Sequence, residues 1–566
     1  MTLMNACQPY EHRLASLKHE YSSWEDHHRD VQRMVLPRRG RFDTSERNKG
    51  DRRNREIINN AATAALRVGV AGVKTGATNP ARPWFRLALD GRYGDLSPQS
   101  KAYLHAVEKI KRAILNRSNC YGELTSLYLE AQAFGTAFMF IHEDFENVIS
   151  CETLTIGQYF IATDSRGQVN TVYRYIDMTV AQVVEKFAPL NGKGERDWSN
   201  ISDRVRRLFE KDNLDEWVKV VHCVEPNPDH KPTYRFSKNK KFRSVWFEEG
   251  GDKTKLLRKS GYDIFPGVCL RWYLSPGDVY GTSPAMDALG DIEQLQEEEK
   301  YKGKGIKKQV DPPMNAPADM KNKVSAQPNS VSFYDPQGGR SVGATPSQNV
   351  QPQLAELRID MAAVEDRIRR AFHADLWLML ENMPGVQPRN QLELSQRKEE
   401  KLLMLGPVFD RLQFDLLDPL LDRIFFIANE AGILPEPPEE LQGKQVSIEY
   451  ISLLAQAQQA SGTGNIERYV SFIGNLTSVY PEVKHKLDPY KAADEYAEAI
   501  GVPPNLVPST EKAQQVYNGI LQAQQQQQAL ENSQIAAQNA QILSNTNTGE
   551  QSALNDILGS MTGAIN

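Results

Sequence analysis

Lys74-Thr75, set among Gly69, Gly72 and Gly76, comes nearest to a phosphate-binding loop. Such a loop cradles phosphates with backbone N–H groups and needs a glycine directly before the lysine and another five residues earlier. Val73 and Val68 hold those places, so the spacing excludes an ATP site. His142-Glu143 begins a zinc-hydrolase pattern, yet no second histidine follows at helical spacing. Cys223 follows His222 with no third member of a nucleophilic set in its local context, and reads as core. Cysteines 7, 120, 151, 223 and 269 form no CxxC pair and leave one over if paired. They suit buried thiols in a reducing compartment. No carboxylate cluster for a metal-dependent nuclease is visible. The expectation is no enzyme, no cofactor and no metal.

The charges are more informative. Net charge is −5, so any contact with nucleic acid has to be local, through a patch or a lined channel. From Arg29 to Arg55 ten Lys/Arg face four Asp/Glu. That run reads as a solvated loop or as a phosphate- or subunit-facing patch. A second concentration joins Glu297-Glu298-Glu299 to Lys300, Lys302, Lys304, Lys307 and Lys308.

The elements that position these charges are mostly helical. Ser283 can cap a helix that Pro284 opens. Ala288, Leu289, Ile292 and Leu295 give it one apolar face, ahead of a basic, glycine-loosened end at Lys300–Lys308. A second helix, Gln353–Phe372, carries Leu354, Leu357, Met361, Val364 and Ile368 at the spacing of a helix–helix seam. By itself this pair is an ordinary helical hairpin in a globular core.

Earlier in the chain, residues 3–36, 101–115 and 121–133 read as helices, and the small-residue run 57–78 allows close helix approach. Phe85–Leu89 and Phe134–Ile141 read as strands. Residues 150–275 form a mixed region, with strands at 156–163, 169–176, 218–224, 233–236 and 245–248 and short helices at 179–187 and 202–209. Residues 261–273 return the chain to the capped helix. Gln391–Gly432 is a long helix bent at Leu405-Gly406-Pro407 and strained at Asp418-Pro419. Val446–Ile451 is a short strand. Helices follow at 453–460, 466–480 and 489–500. The Gln-rich stretch beyond 510 can be helical beside neighbours. The fold class is α+β, mainly helical. No run is long and apolar enough to span a bilayer, and the N-terminus has no signal core, so assembly in the cytoplasm is expected.

Several segments occur together in a recognisable order. They are Asn79-Pro80-Ala81-Arg82-Pro83-Trp84-Phe85, Phe134-Gly135-Thr136-Ala137 and Tyr280-Gly281-Thr282-Ser283-Pro284 ahead of Ala288–Ile292. Leu405-Gly406-Pro407 before Asp418–Arg423, Gly432-Ile-Leu-Pro435, and Ile448-Glu-Tyr-Ile451 before Leu453–Gln458 complete the series. Over roughly residues 5–500 the chain resembles the head-to-tail connector, or portal, proteins of short-tailed, T7-like bacteriophages. Arg389-Asn390-Gln391-Leu392-Glu393 departs from the Thr-Ala-Thr-Glu-like run of that pattern.

The resemblance implies a ring of usually twelve subunits at one capsid vertex of the virion, passing double-stranded DNA during packaging and ejection. It implies a wing (1–277 and 389–450), stem helices (278–308 and 353–374), a clip (309–352), a channel loop (375–388), a crown (451–510) and a Gln-rich C-terminal barrel or tail (511–566). Implied partners are the large terminase subunit, major capsid and scaffolding proteins, tail adaptor proteins and internal core proteins. On that reading Lys302, Lys304, Lys307 and Lys308 are candidates to line the channel. Met379, Leu380, Glu381, Asn382, Met383, Pro384 and Gly385 form a valve, with Pro384-Gly385 permitting its movement. Leu354, Leu357, Met361, Val364 and Ile368 form a seam between subunits. The competing expectations are a scaffold without a channel and a packaging ATPase or nuclease.

Overall fold

The computed structural model describes residues 5–42, 53–89, 97–192, 194–232, 236–310, 314–315, 345–346, 353–377, 406–442, 446–451, 469–477, 480–499 and 510–545. The chain forms two compact units, Met1–Gln458 and Gln459–Asn566.

The first unit opens with α1 (Gln8–Met34), whose Tyr10, Leu14, Leu17, Tyr21, His28 and Val31 recur at helical steps and are buried. α2 (Ala61–Ala77) is the small-residue helix, and β1 (Phe85–Leu89) follows it. α3 (Pro98–Arg117) is capped by Ser97, whose Oγ accepts from Ser100 N. α4 (Cys120–Phe134) ends at Gly135 in the left-handed conformation, φ 76°. β2 (Thr136–Asp144), β3 (Val148–Leu154) and, far downstream, β9 (Gly267–Arg271) form an antiparallel sheet with β2 in the centre.

A five-stranded antiparallel meander follows. Its strands are β4 (Tyr159–Thr163), β5 (Val169–Thr179), β6 (Trp217–Pro226), β7 (Phe242–Glu248) and β8 (Arg258–Tyr262), paired in chain order. Between β5 and β6 lie α5 (Val180–Phe187), started by a capping box of Thr179 and Gln182, and α6 (Asp203–Glu210). Val180, Val183, Val184, Phe187 and Val205 join Trp246 in a small separate core.

The chain then enters α7 (Pro284–Asp287) and α8 (Leu289–Val310). A two-residue antiparallel pair, β10 (Met314–Asn315) with β11 (Thr345–Pro346), precedes α9 (Leu354–Ala371) and α10 (Ala374–Trp377). α11 (Gly406–Leu412) passes through a π turn, Gln413–Leu417, into α12 (Asp418–Glu430). β12 (Val446–Tyr450) closes the unit by pairing with β1, Phe85 opposite Tyr450. In the second unit the described residues are helical at 469–477, α13 (Pro489–Ala499) and α14 (Thr510–Asn545).

The expected α+β character holds, with several local differences. The stem helix does not loosen at its basic end: α8 continues through Gly303 and Gly305 to Val310. Ile156–Gln158, expected as strand, is a turn held by Gly157 at φ 86°. Phe236 leads into a 3-10 turn, and 233–235 lie outside the described residues. Asp418-Pro419 was expected to strain a helix. The helix runs on through Pro419, and the π turn just before it is the local distortion at which the regular ladder is interrupted. The segments expected as helix at 391–405 and 453–460 lie outside the described residues. Among the described residues no barrel forms.

Candidate functional site

The α8–α9 hairpin grows from a rigid root. Ser283 Oγ accepts from Met286 N at 3.1 Å and donates to the Ala133 carbonyl at 2.7 Å, so the helix cap is also a tie to α4. Gly281 N donates to Thr136 Oγ1 at 2.8 Å. Thr282 and Tyr273 exchange backbone hydrogen bonds. Gly135, at positive φ, lies so close under Gly281 that any Cβ would strike its carbonyl. Tyr280 is buried beside Tyr21 and Trp24, and its hydroxyl accepts from Ile161 N.

Two glycines of α2 let the other end of the hairpin pack in. A Cβ on Gly69 would meet the Phe372 carbonyl, and one on Gly72 would overlap the Trp377 ring. This is the close approach that the small-residue run 57–78 suggested. Between α8 and α9, Asp291 accepts from Arg367 at 2.9 Å. Gln296 reads the backbone at the start of α2: its Oε1 accepts from Ile58 N and Asn59 N, and its Nε2 donates to the Asn59 carbonyl. Asn59 Nδ2 in turn donates to Glu299 and Glu365. No periodicity marks Asn59 or Gln296 as joints, and sequence reasoning missed both. It also missed His373, which sits at φ 54° with Nε2 3.2 Å from the Tyr273 hydroxyl. Burial pushes its pKa down.

The predicted site residues separate into distinct groups. Met361, Val364 and Ile368 are buried within one chain, on the face that α8 and α2 cover. Leu357 is half-buried against the same core. Those positions pack within the single chain. The Leu354 side chain lies outside the described residues. Lys302 ion-pairs with Glu299 at 2.6 Å and is itself partly covered. Lys304 lies over the Tyr301 ring. Lys304, Lys307 and Lys308 are exposed at the C-terminal end of α8, where positive charge complements the helix dipole. The valve residues, Met379–Gly385, lie outside the described residues.

The residues first considered for chemistry are structural. Lys74 Nζ donates to Thr125 Oγ1 at 2.7 Å. His142 Nε2 lies 3.5 Å from Glu152. His222 is fully buried between Arg174, which donates to its Nδ1, and Ser244. Burial and the neighbouring Arg174 hold it neutral. All five cysteines are buried and unpaired by disulfides, and burial raises the Cys223 thiol far above its usual range. Among the described residues no His/Cys/Asp/Glu group could hold a metal ion, and no helix is long and apolar enough to cross a membrane.

Similarity to known proteins extends over nearly the whole chain. The family described as "Bacteriophage head to tail connecting protein" matches residues 8–507. The chain is 40% identical over 559 residues to the probable portal protein of Bordetella phage BPP-1, covering 97% of this chain and 98% of that one. It is 40% identical over 548 residues to the portal protein of Salmonella phage epsilon15, covering 96% of each. A solved chain from the virion of a native gene transfer agent particle aligns with 79% of this chain and 94% of its own at 12% identity, with a TM-score of 0.31.

Proposed function

This chain belongs to the bacteriophage head-to-tail connecting protein family, and we propose on that premise that it acts as a phage portal subunit, closing with copies of itself into a ring at one capsid vertex. Portal proteins are structural connectors, not enzymes. The observation that carries the reading is the 40% identity to two portal proteins across nearly their full lengths.

The ring has about twelve subunits, as the resemblance to short-tailed phage connectors implies, and double-stranded DNA passes through it. Head-to-tail contacts of cyclic symmetry close such a ring. α8, at 22 residues, is about 33 Å long and with α9 forms the stem. Its apolar seam packs within the single chain. The neighbour meets the outer faces, where Ile359, Tyr301 and Ile306 are exposed. Residues 309–352 form the clip, where the large terminase docks and tail adaptors follow. The wing, 1–277 and 389–450, faces the capsid, scaffolding and internal core proteins. The second unit supplies the crown. Exposed Val516, Tyr517, Ile520, Leu530 and Ile535 on α14 give it apolar surface for neighbouring copies.

A channel must hold DNA weakly. Duplex DNA carries about one charge per 1.7 Å, and a uniformly basic ring would grip it. An acidic protein with sparse lysine rings lets it slide. Lys304, Lys307 and Lys308 form those rings, while Lys302 is taken up by Glu299. The apolar segment Met379–Gly385 retains packaged DNA. Replacing 379–386 by a Gly/Ser linker is expected to give particles that package but leak, and normal retention would refute the valve. For the function as a whole, a phage lacking this chain is expected to yield capsids without DNA, restored by the chain supplied in trans. DNA-filled heads without it would refute the assignment.

A further inference from the structure

We propose that a pocket between the turn after α1 and the β3–β4 turn binds a phosphate group. It is a hollow of about 330 Å³ lined by Arg38, Arg39, Arg41, Thr153, Thr155 and Gln158. None of these residues belongs to the hairpin or to the channel reading, and the pocket does not depend on the ring.

The arginines sit on a fixed backbone. Gly40 N donates to Thr155 Oγ1 at 2.7 Å, and Arg41 N donates to the Ile156 carbonyl at 2.8 Å. Gln32 Nε2 donates to the Arg39 carbonyl at 2.8 Å. Gly40 and Gly157 both adopt positive φ, and Gly157 lies directly against the Arg41 backbone. The two turns are thus latched together before any ligand arrives, which limits the ordering that binding must impose.

Chemistry selects the ligand. A guanidinium presents five N–H donors in a planar fork that matches phosphate and carboxylate oxygens. Arg41 Nη1 donates to the Arg38 and Gly40 carbonyls at 3.3 and 2.8 Å, and Arg39 Nη2 donates to Ser126 Oγ at 3.4 Å, so the protein itself orients two of the three guanidiniums. A phosphate, with more acceptor oxygens than a carboxylate, suits a hollow ringed by three such cations. Two carboxylates adjoin the lining: Glu123, whose Oε2 accepts from Thr153 N at 2.9 Å, and the fully buried Glu130, 3.5 Å from Arg39. Burial pushes the pKa of Glu130 up to about 7, opposed by Arg39, Thr155, the Ile156 N–H and Arg41, so it offsets the arginines only in part at neutral pH. Tyr21 and Tyr159 also face it. The hollow cannot admit a duplex. A backbone phosphate of DNA lying across its mouth and a small phosphate-bearing anion are the two sources of the group.

The test uses the full-length chain. Inorganic phosphate and tripolyphosphate are titrated by calorimetry, a short DNA duplex by fluorescence anisotropy, and a polyglutamate peptide serves as the carboxylate probe. Wild type is expected to bind the phosphate probes, with Arg38→Gln and Arg41→Gln each weakening binding about tenfold or more. Arg38→Lys, which keeps the charge but loses the fork, is expected to fall between. Circular dichroism checks that the variants fold. Duplex binding lost in the same variants and displaced by phosphate assigns the DNA backbone as the source; phosphate binding without duplex binding assigns a small anion. Absent phosphate binding, unchanged affinity in folded variants, or polyglutamate binding in preference to phosphate would overturn the proposal.

Discussion

Arg271 grips Asp415 with both arms of a fork: its Nε and Nη2 each donate to one carboxylate oxygen at 3.0 Å, across 144 residues of sequence, and both side chains are buried. The pair locks β9, next to the root of the hairpin, onto the π turn between α11 and α12. Arg271 Nη2 also reaches the Gly167 carbonyl at 2.8 Å. Removing one member of a buried pair leaves the other charge uncompensated, at about 3–5 kcal/mol. Asp415→Asn is therefore expected to lower the unfolding midpoint strongly, measured by chemical denaturation at pH 7. A change no larger than that of exposed Asp410→Asn would contradict this role.

Two buried groups give stability opposite pH slopes. His28 donates from Nε2 to the Phe134 carbonyl, and its Nδ1 lies 2.9 Å from the Tyr21 hydroxyl, which donates to it when the ring is neutral. Burial lowers its pKa to about 3. Unfolding lets it take a proton, so its contribution is complete above about pH 6.5 and drains away as pH falls towards 3. Glu130 runs the other way. Burial raises it to about 7, so its contribution is complete below the ordinary carboxylate range and is lost as pH rises through 7. Glu130→Gln is expected to gain about 3 kcal/mol relative to wild type on going from pH 5 to pH 8. His28→Leu is expected to be weaker at pH 7 but flatter between pH 6.5 and 4. Thermal melts across that range check both, and parallel curves for wild type and variant would contradict them.

The Gly135–Gly281 contact should tolerate no side chain. Gly135→Ala places a Cβ in a left-handed conformation, a strain of about 1–2 kcal/mol, and drives it into the Gly281 carbonyl. Its melt is expected well below that of Gly167→Ala. Gly167 has φ 77° but open space, so it reports backbone strain alone. Equal melts would show that the close approach does not matter.

The lysines of α8 should divide by function. Lys307→Glu with Lys308→Glu is expected to reduce packaged DNA per particle with little effect on subunit stability. Lys302→Gln breaks the Glu299 pair and is expected to cost about 0.2–1 kcal/mol of stability while leaving packaging near normal. Quantifying DNA in purified particles separates the two outcomes. A packaging defect confined to Lys302→Gln would reverse the assignment.

Much of the hairpin was legible because its signals are local. The Ser283-Pro284 cap and the spacing of Met361, Val364 and Ile368 need no distant partner to be read. What the spacing could not reveal was which helix covers that face. Gly69 and Gly72 decide it, by allowing α9 and α10 to settle on α2 some three hundred residues away. β1 and β12 illustrate the same limit. Each reads as a short strand, but the pairing of Phe85 with Tyr450 joins opposite ends of the first unit. Arg271 and Asp415 carried no signal at all, because an isolated arginine in a strand and an aspartate in a helix are ordinary until the fold brings them together. The basic run near Arg38 was visible as charge, but only the turn geometry turns it into a pocket.

Electron microscopy of the purified full-length chain tests the central claim most directly. The account predicts closed annular particles of uniform subunit number with an open centre that duplex DNA can thread. A population of monomers, rods or solid clusters under conditions where the chain is folded would contradict it.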